Sequence, residues 1–387
     1  MAMAWEEVVV AAIDSSMGSV LAAALLLPGV VAQVHAETAP EKGEVALKLL
    51  EYKDWQPDLQ RIKVISPSVY VLAPMGVHWS VEGSLVNDAI SGASPRYHTA
   101  VSGASRLTEH RLAGDLKLTH YAPRDAWSAS VAHSEENDYR SSSLAGDYRL
   151  STEDNNRTWN AGLAFTDDSI GSSIDPTLNV HRRAWQLIGG VTQAATPVDL
   201  LQLNVESTLG NGYFSDPYKF PDKRPDKRDQ YAALLRWNHY FESLNATLRS
   251  GWRYYRDSFG VRAETLDAAW VQPASEQVQI TPSIRYTTQR AARFYYDPVY
   301  DPSLGTPYPP GYGTPSLRYY SPDQRLASFG ALAAGLRFDV TLGDDLHVDL
   351  SYQRYAQRAA WRVGGSGSPG LQPFSAQSWQ LGLARTF

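Results

Sequence analysis

The sequence predicts an all-β fold: a single transmembrane antiparallel β-barrel of about 16 strands, with short periplasmic turns and long extracellular loops. Three observations carry that expectation. Segments of roughly 8–15 residues alternate apolar and polar side chains from residue 44 to the end. The connectors between them are tight at one junction and often long at the next. The last segment alternates too, and it ends on an aromatic residue, Phe387.

Successive strand residues point to opposite faces, so each segment offers one apolar and one polar face. Val77, Trp79, Val81 and Leu85 alternate with His78, Ser80, Glu82 and Ser84. Trp159, Ala161, Leu163 and Phe165 alternate with Thr158, Asn160 and Thr166. Leu346, Val348, Leu350 and Tyr352 alternate with His347, Asp349, Ser351 and Gln353. A soluble sandwich would alternate in the same way, and the connectors separate the two. Tight links fall at 73–75, 122–125, 152–156, 196–198, 242–243, 273–275 and 343–345, and long ones at 87–108, 169–179, 211–228, 291–324 and 362–374. Every long connector falls at an alternate junction, which is the outer-membrane barrel pattern. If 44–53 and 60–73 are the first two strands, the count is even and both termini lie in the periplasm. Pro67 interrupts the second of these.

Residues 1–36 read as a signal peptide, with an apolar run from Val20 to Val34 and small residues at the Val34-His35-Ala36 cleavage site. The usual positive start is missing: Lys42 is the first basic residue, and Glu6, Glu7 and Asp14 precede the apolar run. Residues 37–43 form a short periplasmic tail and 44–387 the barrel. The expected location is the outer membrane of a Gram-negative-type bacterium. At the other end, Trp379, Leu381, Leu383 and Phe387 share one face, and Phe387 is the expected signal for the barrel-assembly machinery.

Composition is compatible with this and excludes other classes. No stretch after the N-terminus is apolar for long enough to cross a bilayer as a helix, a test that barrels evade because each strand is half polar. The 22 Tyr and 11 Trp suit two interfacial girdles. With 0 Cys there is no thiol catalysis, thiolate metal site or disulfide. The net charge of −6 argues against a nucleic-acid partner.

Charge on the lipid face costs about 2–4 kcal/mol near the midplane, so charged strand residues are expected inside. The lumen-lining candidates are Arg111, Lys117, Arg149, Arg182, Arg236, Arg249, Arg253, Arg285, Arg337, Asp339 and Asp349. Lys48 and Lys63 fall on polar faces too, opposed by Glu82, Asp115, Asp147, Glu206 and Asp267. Cations outnumber carboxylates in this register, which predicts a mildly positive interior.

The loops carry further motifs. Asp88, Ser91, Gly92, Ser94 and Pro95 form a small-residue loop that either narrows the pore or caps a surface turn. His98 and His110 are near these serines in sequence, but no convergence on a nucleophile is legible. Gly212, Tyr213, Asp216, Pro217, Tyr218 and Lys219 open a loop that continues PDKRPDKRD, whose alternating charge predicts a solvated segment. The spacing of Asp216, Asp222 and Asp226 matches no established calcium loop. Residues 291–324 combine many Tyr, Pro and Gly, suiting a stiff loop that binds a ligand or packs over the mouth.

The strings DAISGASP at 88–95, GNGYFSDPYK at 210–219, YYRDSFGV at 254–261 and RFYYDP at 293–298 resemble a bacterial outer-membrane family of unknown function. The resemblance runs from about residue 44 to Phe387 and implies a barrel. It also implies a genomic setting near a small lipoprotein and a flavin transferase, hence a periplasmic redox context. It brings no activity.

The expected function is a porin-like channel or a solute-binding barrel for small hydrophilic solutes, non-enzymatic and without cofactor or metal. Its partners are outer-membrane lipids, the assembly machinery and a small periplasmic lipoprotein. The alternative is a plugged scaffold that docks periplasmic lipoprotein or redox partners. An outer-membrane hydrolase is the remote third reading.

Overall fold

The protein's structure, a computed structural model, describes residues 38–57, 59–93, 106–298 and 306–387. The proposed signal segment, Ser94, Pro95 and His98 lie outside the described residues. Sixteen strands follow one another: β1 (Glu44–Gln56), β2 (Leu59–Met75), β3 (Trp79–Ala93), β4 (Arg106–Tyr121), β5 (Asp125–Glu135), β6 (Tyr139–Ser151), β7 (Arg157–Ile170), β8 (Val180–Ala194), β9 (Asp199–Gly212), β10 (Lys227–Phe241), β11 (Ala246–Asp257), β12 (Arg262–Pro273), β13 (Val278–Arg290), β14 (Phe329–Leu342), β15 (Leu346–Arg358) and β16 (Phe374–Thr386). Each pairs antiparallel with its neighbours in sequence, and β1 pairs with β16, so the sheet is a closed barrel. Closure leaves no unpaired edge, the condition for crossing lipid with strands.

The seam shows how the chain ends are secured. Glu44 lies opposite Thr386, and one residue further out the Gly43 and Phe387 backbones exchange hydrogen bonds at 2.9 and 3.0 Å. The Phe387 ring lies against Gly43, where a Cβ would come within 2.6 Å of it. The sequence alternation becomes two surfaces. On β1, Val45, Leu47 and Leu49 are exposed on the outside, while Ala46 and Lys48 turn inward. Leu116, Leu144, Leu163, Leu187, Leu203, Leu235, Leu266 and Ile284 carry the apolar exterior around the wall. Aromatic rings gather near both rims: Trp79, His120 and Trp127 pack together at the short-turn end, and Phe165 packs on Trp185 toward the other.

Three expectations change in detail. The connector 87–108 is shorter, because β3 continues to Ala93 and β4 begins at Arg106; Asp88, Ser91 and Gly92 are therefore strand residues. Pro67 does not end β2. It stays opposite Leu49 of β1, and the ladder to β3 skips from Ile65–Ala89 to Ser68–Val86, because proline has no N–H to donate. The long-loop end also holds short links, at 57–58, 136–138 and 258–261.

Candidate functional site at the mouth and in the lumen

The loop 213–226 between β9 and β10, and the described parts 291–298 and 306–328 of the β13–β14 connector, lock together. Lys223 and Tyr320 exchange backbone hydrogen bonds at 2.8 and 2.9 Å. Tyr296 N–H donates to the Ser321 carbonyl and Ser321 N–H to that of Phe294. A short 3₁₀ turn, Gln324–Leu326, is capped by Asp323, whose side chain accepts from the Arg325 N–H. This turn leans past β15 and β16 to β1, where Gln56 Nε2 meets Gln324 Oε1 at 3.4 Å. The two loops thus bridge from β9 to β1, half the circumference.

Their junction is a buried ion cluster. The Asp323 carboxylate, fully buried, meets Lys219 Nζ at 2.9 Å, Arg224 Nη2 at 2.7 Å and Arg325 Nε at 2.9 Å. Asp216 meets Lys219 at 2.7 Å and Arg325 at 2.8 Å, and Asp222 meets Arg224 at 2.9 Å. Burial pushes the Asp216 carboxyl up, but Lys219 and Arg325 outweigh it and hold it at about 2. Burial likewise opposes ionisation of Asp323, and Arg325, Lys219 and Arg224 hold it well below the usual carboxylate range. At Asp222 burial wins over Arg224, and its carboxyl is raised. The segment expected to be solvated is therefore buried at its centre, because its charges find counter-charges about a hundred residues away in the chain. Asp226, by contrast, is exposed.

Beneath this lid the wall is packed. Phe259, Val261, Ala292 and Leu326 form one buried cluster with Phe214 and Tyr255 against it. Tyr52, Phe374 and Ala376 form another, and Ala327, Phe329, Ala331 and Leu371 a third. Ion pairs tie neighbouring strands at the same end: Arg228 to Asp257 at 2.9 Å, Arg182 to Asp168 at 2.7 Å, Arg111 Nε to Asp88 at 2.6 Å and Arg61 to Asp54 at 3.7 Å. Arg228 and Arg182 also lie over the Phe259 and Phe214 rings.

Lower down, glycines make room for carboxylates. Asp267 leans over Gly251, where a Cβ would be 2.7 Å from its Oδ1; Gly251 is flanked by Arg236 on β10, and Asp267 by Arg285 on β13. Asp349 leans over Gly382, which pairs on its far side with Lys48. Arg337 holds Asp339 at 2.7 Å and reaches Asp349 at 3.8 Å. Lys117 faces Glu82 at 3.9 Å, and Gln186 donates to Glu206 at 2.5 Å. Ser84 donates to Asp115 and Ser128 to Asp147. Arg149 stands between Ala126 and Asn160, and Arg249 between Asn238 and Ala269. Arg253 stacks over Tyr255 with its guanidinium carbon 5.5 Å from the ring centre.

The expected positive excess disappears in this register. Lys63 points outward to Glu51, and among the described residues Glu44, Asp54, Asp88, Asp168 and Asp257 join the inward carboxylates against Arg61 and Arg228 as further cations. Among the loop residues, Gly212 has φ 122 and a Cβ there would strike the His181 carbonyl, so only glycine fits. Tyr213 N–H donates to that same carbonyl. Tyr218 accepts the Ser173 N–H at 2.9 Å and ties in the loop after β7, with Pro217 beside it in the turn. Ser91 and Gly92 pair with Lys63 and Ile62 of β2. His110 is exposed and lies one residue from inward Arg111, on the other face of β4. Sequence reading missed Asp323 and Arg325; the only local signal was a Ser-Pro-Asp turn opener.

Strand closure, an apolar exterior and a charged interior define a membrane-spanning β-barrel with a folded-in mouth. The chain belongs to the family described as Protein of unknown function (DUF3570), whose model matches residues 102–181 and 172–378. That span contains the GNGYFSDPYK, YYRDSFGV and RFYYDP strings and begins after SGASP. No curated protein matches the chain. Among solved structures it is similar to CdiB from Acinetobacter baumannii, at 10% identity and TM-score 0.48, covering 88% of this chain and 60% of that one. It is similar to a bacterial polysaccharide outer membrane secretin, at 10% identity and TM-score 0.47, covering 89% and 98%. A third is the CymD monoaromatic hydrocarbon channel, at 9% identity and TM-score 0.44, covering 90% and 89%. The chain thus spans less than two thirds of CdiB's length.

Proposed function

We propose that the protein is an outer-membrane barrel that admits or binds small hydrophilic solutes, with entry governed by the ion-paired lid. The short turns and both chain ends face the periplasm and the lid faces outward. The observation that carries this reading is the buried Asp323 cluster, which joins the two loops across the mouth above a lumen lined by charges of both signs. A mouth held by ion pairs can open without refolding the wall, whereas the wall's own ladder cannot. Phe387 serves as the assembly signal, tested by comparing membrane yields of Phe387→Ser and Thr386→Ser.

The test of the lid is planar-bilayer conductance of the purified protein and of Asp323→Asn. Low wild-type conductance that rises in the variant supports a gated conduit. A folded variant as silent as the wild type favours the second reading, a plugged scaffold that docks a periplasmic lipoprotein or redox partner. The apolar clusters under the lid are the observation in that reading's favour.

A further inference from the structure

The outer wall carries one row of charge that its own residues do not neutralise. Arg256 is the register partner of Arg262, and Arg262 is the partner of Arg290, so three arginines stand side by side on β11, β12 and β13. All three are exposed, and they share the face of Trp252, Leu266 and Ile284, which is the outside of the barrel. They sit at the last residues before the long-loop rim, above those apolar side chains, with Tyr254, Glu264, Tyr286 and Thr288 between on the same face. Cross-strand neighbours stand about 5 Å apart at Cβ, and like charges placed so repel. Among the described residues none of the three has a carboxylate in ion-pair contact, although Glu264 and Asp229 lie nearby on the same face. Three other outer-wall cations have a matching acid, Arg183 with Asp167 at 3.4 Å, Arg140 with Glu135 at 2.8 Å and Lys53 with Glu51, whereas Arg354 and Arg358 on β15 rest on Gln377 and on backbone carbonyls. Arg256 is in addition held over the Tyr231 ring, its guanidinium carbon 5.3 Å from the centre, which fixes one end of the row.

We propose that Arg256, Arg262 and Arg290 bind the phosphate groups of a phosphorylated glycolipid in the outer leaflet. The proposal rests on the outer-membrane reading above. At that height a lipid-facing side chain meets headgroups. Guanidinium recognises phosphate with paired, charge-assisted hydrogen bonds. A headgroup phosphate there would relieve the repulsion across the row, while its acyl chains lie along Trp252 and Leu266, beside the 361–363 segment that Tyr286 and Thr288 hold against β13. Glu264, just below the row, favours a phosphate seated high, toward the rim. The arrangement discriminates against a zwitterionic headgroup, whose own cation would add to the three already present.

The test uses the full-length barrel purified in detergent and native mass spectrometry. The probes are a bisphosphorylated lipid A, the same lipid dephosphorylated, and inorganic phosphate. The comparison variant is Arg256→Gln/Arg262→Gln/Arg290→Gln, and the control is Arg183→Gln, an outer-face arginine that already has its acid. The expected result is retention of the bisphosphorylated lipid by wild type and control, with about a hundredfold weaker binding by the triple variant. Equal binding of the phosphorylated and dephosphorylated lipids, or equal binding by wild type and triple variant, overturns the inference. Inorganic phosphate competing at the lipid's own concentration overturns the lipid as the source. Heat-modifiable migration of every variant shows that it is folded. Fractionation of the producing cells separates the two claims: protein outside the outer membrane overturns the location reading, and protein inside it that fails to bind overturns this inference alone.

Discussion

At the mouth, Asp323 is fully buried and meets three cations from two loops within 3 Å; lower in the lumen, Asp349 keeps part of its surface and Arg337 stands 3.8 Å from it. Both are carboxylates among cations inside one barrel, but they do different physical work. The mouth cluster joins segments far apart in sequence, and removing one member strands the others out of water. The charges lower in the lumen sit on strands already fixed by backbone ladders on both sides. Charge at the mouth holds the fold of the loops, and charge lower down decorates a wall that would stand without it.

That contrast is broken most directly by truncating one carboxylate in each place. Asp323→Ala is expected to cost the lid about 3–5 kcal/mol, since Lys219 and Arg224 stay buried with too few counter-charges. Asp349→Ala should cost less, because both neighbours of its strand remain paired by backbone ladders. Hydrogen exchange at the Lys223 and Ala292 amides reads the first; those amides donate to Tyr320 and Leu326. Similar exchange in both variants would erase the distinction.

Acid provides a second test. Asp216 is held at about 2 and Asp323 is also depressed, both below the ordinary 3.8. A depressed carboxylate contributes stability above its unfolded value and loses it as pH falls through the folded one. Amide protection in the lid should therefore hold from about pH 7 to about pH 5, then fall progressively below about pH 4 and be lost near about pH 2. Asp222 is shifted the other way, so its protonation does not oppose the closed state. Opening between pH 7 and 5 would assign control to some other group.

A smaller effect sharpens the account of the lumen. Gly382→Ala puts a methyl 2.1 Å from the present position of Asp349 Oδ1, so the carboxylate must swing off the Lys48–Gly382 row. Because a side chain can yield where backbone cannot, the loss should stay below about 1.5 kcal/mol, read as a modest fall in Tm. The smallest effect is on ion selectivity. With inward acids matching inward bases, replacing Arg249 and Arg253 by Ser should move the permeability ratio toward cations by less than about twofold, measured as a reversal potential in a KCl gradient. A strong anion preference in the wild type would restore the positive interior that the sequence register suggests.

The alternation of Trp159, Ala161 and Leu163 with Thr158 and Asn160, and the tight links between such segments, were enough to determine a barrel of about sixteen strands and, apart from Lys63, which faces are wet. Those properties are local: the period of two and the turn chemistry act within a few residues, so they are written in the order of the chain. Asp323 and Arg325 were not legible as site residues, and the loop PDKRPDKRD looked solvated, because its partners are remote in the chain and only closure brings them together. The same holds for the arginine row, where Arg256, Arg262 and Arg290 become neighbours through register alone. Burial and charge pairing depend on which strands stand side by side, and that is decided by the closed sheet.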